Sequence, residues 1–522
     1  MTTLVEAEPR LSDLSESERG ERFARLQEHL VPVWKAMRLN EPGESIVVVP
    51  SVVPGAGANG AVVQAFEERM LFLLTLLRQP RLQIVYVTGR AVDERVVEYY
   101  LSLLPGVIPS QARARLHMIS AQDGSSRALT VKLLERSRVL EAIRACIPDR
   151  ERCHLVPFAT TAMERDLALA LGIPLYGADP RHLPFGTKTG CRRLFAASQV
   201  THPLGWENVS DVDGVVDALA QMRAAKPSVT YAIVKHNDGV SGHGNALVEL
   251  RGLPAPGAAD EQAELRSRVE RMEFESPRID LPEYLRKLAE GGGIVEERIT
   301  GSEIRSPSVQ LRVTPLGEVQ VLSTHDQLLG GPSGQSYLGC RFPADFAYAR
   351  AITVEAAKVG ERLAREGVLG RFAVDFVVVR EAGGGWTPYA IELNLRKGGT
   401  THPFLTLQFL TDGVYDPVTA LFTAPNGREK HLVATDHLES EQLRGLSIDD
   451  LFDIAVRHRL HFDQARQVGV VFHMMSTLTE LGRTGLTAVG DSPEQADATY
   501  QRAERVLVEA AEPTQEPALP AV

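Results

Sequence analysis

Two acidic residues and an asparagine are the first groups in this chain whose types and spacing could do chemistry. Asp375 lies inside the apolar run Phe372-Ala373-Val374-Asp375-Phe376-Val377, and Glu392 and Asn394 stand two apart in Ile391-Glu392-Leu393-Asn394. Residues two apart on a strand share a face. If the segments 371–380 and 386–395 pair through the glycine-rich loop 381–385, Asp375 meets Glu392 and Asn394 across the ladder. Three oxygen donors on a rigid sheet suit Mg²⁺, which completes its octahedron with water and phosphate oxygens. Carboxylates within apolar strands are costly without a compensating cation. The same alternation also fits a solvent-facing sheet side, so the trio by itself supports a divalent-metal site and no more.

Other residues extend that site toward a nucleotide. Lys188 opens a helix after Pro184-Phe185-Gly186-Thr187, and Lys235 ends a strand just before the tip Asp238-Gly239-Val240-Ser241-Gly242-His243-Gly244-Asn245. Two separated lysines could hold α- and β-phosphates while backbone N–H groups of the tip, around Ser241, Gly242 and Gly244, cover the β- and γ-phosphates. The strand and linker Val295-Glu296-Glu297-Arg298-Ile299-Thr300-Gly301-Ser302-Glu303 could present backbone groups to an adenine edge, with Glu303 at the ribose hydroxyls. A second glycine loop, Gly55-Ala56-Gly57-Ala58-Asn59-Gly60, has neither dinucleotide-binding nor P-loop spacing and reads as a turn that could line a substrate cleft.

These groups need elements to position them. Residues 1–40 read as a helical lead-in. From 41 to 185, β-branched runs alternate with helical patterns, starting with Ser45 to Pro50 and a helix over Ala61 to Leu77, which predicts an open parallel α/β layer. Residues 186–425 carry the chemistry on hairpins and alternating strands, with helix 345–366 and a hydrogen-bonding loop over 324–337. Residues 426–512 read as a small αβ unit, and 513–522 as a disordered tail. The fold class is α/β and α+β.

The order of these pieces resembles the ATP-grasp fold. The resemblance rests on Lys235-His236-Asn237-Asp238-Gly239-Val240-Ser241-Gly242-His243-Gly244-Asn245-Ala246, on Glu392-Leu393-Asn394-Leu395-Arg396-Lys397-Gly398-Gly399-Thr400-Thr401-His402-Pro403-Phe404, and on Val471-Phe472-His473-Met474-Met475. Over residues 40–500 the chain is similar to the pheganomycin-type peptide ligase family. The resemblance implies a pre-ATP-grasp layer (41–185), an ATP-grasp domain (186–425) and a C-terminal αβ domain (426–512). It further implies that Lys188 and Lys235 bind ATP phosphates, that Glu296 lies near the adenine amino group, that Glu297 and Ile299 offer backbone contacts to the adenine, and that Glu303 holds the ribose. Asp375, Glu392 and Asn394 would bind two Mg²⁺, with Mn²⁺ able to substitute and Glu392 as the bridge. The Gly398 amide would approach a developing oxyanion. His243 departs from the family pattern, which favours an acidic or small residue in the tip.

The implied reaction moves the γ-phosphoryl group to a carboxylate, and an amine then displaces the phosphate, probing two substrates: a small carboxylate and an amino-acid or peptide amine. Phosphoryl transfer brings two anions together, so a cation should face the carboxylate. Arg396 and Arg305 rank first for that task, then Lys397, then Arg371. His325 is a weaker general-base candidate, His402 could line the site, and His473 reads as structural. A phosphotransferase or a non-catalytic nucleotide-binding module on the same fold is the alternative.

Bulk properties exclude little else. The chain has 522 residues, 44% hydrophobic, and a net charge of −11, which argues against nucleic acid as the main partner. No apolar run approaches the roughly 20 residues of a membrane span. The four cysteines, Cys146, Cys153, Cys191 and Cys340, lack zinc spacing, and with no secretion signal they predict a cytoplasmic location. A homo-oligomer is left open.

Overall fold

The computed structural model describes residues 11–39, 43–52, 59–239, 244–275, 279–330 and 336–511. The chain divides into two compact units, one made of residues 1–180, 399–414 and 422–522, the other of residues 181–398 and 415–421. The C-terminal segment expected as a separate αβ domain therefore groups with the N-terminal layer.

In the first unit, strands β1 (Ser45–Val49), β2 (Gln83–Thr88), β3 (Leu116–Ser120) and β4 (Cys153–Pro157) form a parallel sheet in the order β3-β2-β1-β4. All five residues of β1 are buried, as a parallel strand covered on both faces requires. Val47, Val85 and Leu155 join Phe23, Leu133, Leu167 and Leu171 in the core. The helix expected over Ala61 to Leu77 is broken: an α-helix, Gly60–Glu68, capped by the Asn59 side chain, is followed by a 3₁₀ turn, Leu71–Arg78. The rest of the 55–60 loop lies outside the described residues. The C-terminal part is an antiparallel sheet in which Arg483–Gly490 lies between His431–Glu439 and Gly469–His473, with helix Pro493–Ala510 against it. Hydrogen bonds tie the two parts: Tyr100 donates to the Phe472 carbonyl (3.2 Å) and the Phe472 N–H to the Tyr99 hydroxyl (3.0 Å), both buried, and the Ser476 N–H donates to Glu68 (3.1 Å), part-buried.

The second unit holds two antiparallel arrangements. One orders strands β5 (Gly205–Val209), β6 (Tyr231–His236), β7 (Asn245–Glu249), β8 (Glu273–Phe274) and β9 (Gly293–Glu297) as β5-β9-β6-β7-β8. Its core packs Val234, Val248 and Val295 against Leu219, Leu265 and Leu288 from three helices. The other is built from β10 (Ile304–Arg305), β11 (Pro307–Val313), β12 (Val319–Gly330), β13 (Ser336–Phe342), β14 (Gly370–Arg380) and β15 (Trp386–Asn394). There β14 pairs with β15 on one side and with β10 and β11 on the other, and β11, β12 and β13 follow in turn. Helix Phe346–Arg365 packs on this sheet. The loop expected over 324–337 is corrected: residues 324–330 are the second half of β12, and 331–335 lie outside the described residues.

Candidate active site

The pairing of β14 with β15 brings the sequence-predicted trio together. Asp375 stands directly opposite Glu392, and a bulge just after Asp375 shifts the register from there on. The Asn394 amide donates to Asp375 Oδ2 at 3.0 Å. Two like charges directly opposite each other destabilise a sheet, so this arrangement calls for cations. Lys188 supplies one, with its Nζ 2.7 Å from Glu392 Oε1.

Local structure fixes Lys188. Thr187 caps helix Lys188–Ala197 by accepting from the Gly190 N–H at 3.0 Å. Gly190 is required there, because a Cβ would sit 1.8 Å from the Pro184 carbonyl oxygen. The same helix start is tied to the base of the β6–β7 hairpin. The Lys188 N–H donates to the Asn237 carbonyl (3.2 Å), the Thr189 N–H to Asn237 Oδ1 (3.0 Å), and the Asn237 amide to the Gly291 carbonyl (2.9 Å). One asparagine thus sets the position of Lys188 relative to Lys235, two residues before it.

Lys235 is buried and ion-paired to Glu296 on β9. Arg192 Nη1 also approaches Glu296 at 3.5 Å, while its Nε holds Glu207 at 2.7 Å. Glu297 is spent differently: its carboxylate accepts from the Leu204 N–H (3.0 Å) and pairs with Lys226 (2.5 Å), and its own N–H donates to the Leu204 carbonyl (2.8 Å). Its N–H is therefore already given away rather than held out to a base. Ile299 is half-buried in the linker after β9. Glu303 is held between Arg305 (2.7 Å) and Arg380 (2.9 Å).

The cations ranked for the reacting carboxylate separate. Arg396 acts electrostatically on both Asp375 and Glu392. Arg305 is not brought to that pair: half-exposed, it pairs with Glu303 and acts on Asp326, because Arg305 lies opposite Val378 on β14, three residues beyond Asp375. Burial pushes the Lys397 ammonium down to about 7, and the Arg371 charge adds to that. A Cβ on Gly398 would meet open space.

Burial, and then the facing Glu392, push the Asp375 carboxyl up to about 6, against the opposing pull of a hydrogen bond from Ser308 and the charges of Arg396 and Lys188. Burial also works against the charged form of Glu392, but Lys188, Arg396 and Lys235 outweigh it and hold that carboxyl below its usual range. The donor set fits a hard divalent cation: two carboxylates and an amide oxygen on one strand pair, with one carboxyl driven toward neutrality by its like-charged neighbour.

Of the glycine tip, Ser241, Gly242 and His243 lie outside the described residues. The Gly244 carbonyl accepts from the His236 N–H (3.0 Å) and the Tyr284 hydroxyl (3.1 Å), and its Cα lies so near His236 that a Cβ would come within 3.1 Å of that side chain.

Four contributors escaped the sequence reading. Ser308 stands opposite Asp375 on β11. Asn237 ties the helix start to the hairpin. Arg192 balances Glu296 and Glu207. Cys191 accepts from the Leu393 N–H at 3.2 Å, between Glu392 and Asn394. The strand alternation of Pro307–Val313 was a usable signal for Ser308; the others depend on contacts between distant segments. His325 is corrected from a general-base candidate to a core residue: it is fully buried, bonded to Ser323 (2.9 Å) and Gln310 (3.3 Å), and burial pushes its imidazole down to about 3.

Comparison with known proteins speaks to family and fold. A family described as IQCH-like, ATP-grasp, matches residues 182–276 and 261–417, and one described as the PGM1 C-terminal domain matches residues 450–503. The chain is 30% identical to the L-propargylglycine--L-glutamate ligase of Streptantibioticus cattleyicolor, over 84% of this chain and 89% of that protein. It is 24% identical to the IQ motif-containing protein H of Danio rerio, over 68% of this chain but 38% of that longer protein. The biotin carboxylase domain of Hydrogenobacter thermophilus 2-oxoglutarate carboxylase superposes with a TM-score of 0.53 at 11% identity, covering 91% of this chain and 95% of that one. Campylobacter jejuni biotin carboxylase gives 0.51 at 12%, covering 91% and 96%. At these identities the two structures speak for the fold alone.

Proposed function

The chain belongs to the ATP-grasp carboxylate–amine ligases, ATP-dependent enzymes that form a C–N bond, and on that premise we propose that it activates an amino-acid carboxylate as an acyl phosphate and joins it to the amine of a second amino acid or a peptide. The named substrates of the Streptantibioticus relative, propargylglycine and glutamate, support two amino acids as the substrate class. A place in peptide natural-product biosynthesis follows from the same kinship.

One observation carries the reading: Asp375 and Glu392 face each other in register, with the Asn394 amide donating to Asp375 and with Lys188 and Arg396 as the flanking cations. These three donors would hold two Mg²⁺, or Mn²⁺ in their place, and ions bound there would screen the anions that phosphoryl transfer brings together. Lys188 and Lys235 exchange their glutamate partners for phosphate oxygens, and backbone amides around Ser241, Gly242 and Gly244 cover the phosphate tail. Glu296, Glu297 and Ile299 border the base, and Glu303 takes the ribose hydroxyls. A carboxylate oxygen attacks the γ-phosphorus and ADP leaves. The amine then attacks the acyl carbon, phosphate leaves, and the amine proton passes to a phosphoryl oxygen. Arg396 orients the carboxylate, with Lys397 as a further cation, and the Gly398 amide stabilises the oxyanion.

The test is incubation of the full chain with ATP, Mg²⁺ and pooled amino acids, with and without hydroxylamine. New peptides by mass, replaced by amino-acid hydroxamates in hydroxylamine, are the expected result. A stable phosphorylated substrate with neither product would overturn the acyl-phosphate route.

A further inference from the structure

Three residues that this reaction does not use converge inside the first unit. His402 lies at the start of helix Thr401–Thr411, Asp436 on strand His431–Glu439, and His473 at the end of strand Gly469–His473. All three are buried, each 3% exposed. His473 Nε2 is 2.9 Å from Asp436 Oδ1, His402 Nε2 is 3.1 Å from the same oxygen, and the two Nε2 atoms are 3.0 Å apart.

Hydrogen bonds alone do not account for this triangle. The two contacts with the carboxylate oxygen require both nitrogens to donate. The contact between the nitrogens requires one of them to accept. Protonating the carboxyl is no escape, because the Arg69 guanidinium pairs with it as a carboxylate, Nη1 lying 2.7 Å from Oδ2. A cation could serve all three atoms at once, since His402 Nε2, Asp436 Oδ1 and His473 Nε2 lie within 3.1 Å of one another. With metal–ligand bonds of about 2.1 Å, atoms about 3.0 Å apart subtend about 90°, the angle of one octahedral face.

We propose that His402, Asp436 and His473 form a second metal site, which holds one first-row transition-metal dication as a staple between a helix and two strands. Two imidazoles and one carboxylate suit Fe, Co, Ni or Zn rather than Mg²⁺, which prefers oxygen alone. The Arg69 charge opposes any cation, so the nitrogen ligands decide the selectivity. Arg69 also fixes the second carboxylate oxygen and leaves Oδ1 for the metal, and the Arg483 Nε holds the Asp436 carbonyl at 2.8 Å. Gly485 leaves room for the His473 ring, since a Cβ there would lie 2.2 Å from Nε2. His402 Nδ1 has no hydrogen-bond partner, so the proton that metal binding places on it is a cost alongside the Arg69 charge.

The site is tested on the untagged full chain, reconstituted with Co²⁺, dialysed, and assayed for bound metal by mass spectrometry and for d–d absorption. Wild type and Glu392→Gln should each retain one ion per chain, with affinity falling by at least about tenfold in His473→Gln. Folded wild type that retains no Co²⁺ would overturn the proposal. So would metal that is lost in Glu392→Gln, or retained unchanged in a folded His473→Gln. If His473→Gln does not fold, the wild type decides: removing Co²⁺ with a chelator should lower its Tm, and an unchanged Tm overturns the staple.

Discussion

The chain builds two clusters around buried carboxylates, and they are finished in opposite ways. On β14 and β15, Asp375 and Glu392 face each other as like charges, only partly buried, with Lys188 shared between them and open space beside Gly398. In the first unit, Asp436 is enclosed by two imidazoles and Arg69, and every member is buried. The first cluster keeps an electrostatic deficit that a ligand can relieve. The second spends its charges on holding elements together. An unbalanced, accessible group of charges points to chemistry, and a closed one to architecture.

The largest effect should come from the open cluster. Glu392→Gln keeps the shape and removes the charge that faces Asp375. Removal of one placed electrostatic group costs about 10²–10³-fold in rate, so hydroxamate formation should fall by that much while the Tm changes little. A variant with near-normal rate would break the contrast by showing the pair to be structural.

Arg69→Met makes the complementary cut. Leaving Asp436 buried without its guanidinium costs about 3–5 kcal/mol, so thermal unfolding should shift down strongly while turnover per folded molecule is preserved. If turnover falls and the Tm holds, the closed cluster is functional and the comparison inverts.

The two lysines proposed to hold the phosphates differ in the same way, one paired within the open cluster and one with Glu296. Losing a charged hydrogen bond of about 1.5–3 kcal/mol weakens binding by about 10–100-fold. Lys188→Ala and Lys235→Ala should both raise the KM for ATP by that range. Lys235→Ala should also lower the Tm, because it removes the ion-pair partner of the buried Glu296 and leaves Arg192 at 3.5 Å.

A pH scan reads the closed side. Burial raises Glu68, beside Arg69, from 4.5 to about 7, against hydrogen bonds from Ser476 and Gln64. The native state thus holds a proton that the unfolded chain releases between those values. The associated stability is fully present below pH 4.5 and is lost as pH rises through 7. The Tm of Glu68→Gln, which cannot titrate there, should fall less than that of wild type between pH 5 and pH 8.

The contrast also explains what the sequence could tell. The meeting of the open cluster was legible because Glu392 and Asn394 sit two apart on one strand and Asp375 one hairpin away, where strand periodicity alone sets the face. Lys188 and Lys235 were legible from their places at a helix start and before a glycine tip. The closed cluster was not, since Asp436 and His402 are 37 and 71 residues from His473 and no local period links them. The grouping of residues 422–522 with the N-terminal layer was invisible for the same reason: it rests on Tyr99, Tyr100 and Glu68 bonding to residues 472–476.

The smallest effect separates two arginines that chain order ranked together. Arg305 follows Glu303 by two residues and pairs with it, together with Arg380, at a half-exposed surface. Arg396 follows Asn394 by two residues and acts on Asp375 and Glu392. Exposed ion pairs contribute about 0–1 kcal/mol, so Arg305→Gln should change the KM for ATP only slightly, through Glu303, and leave the rate of hydroxamate formation as it is. Arg396→Gln should lower that rate with little change in the KM for ATP. The ratio of the two kcat values at saturating ATP is therefore the measurement that tells a cation at the reacting carboxylate from one at the nucleotide's edge, and equal losses in both variants would return Arg305 to the catalytic set.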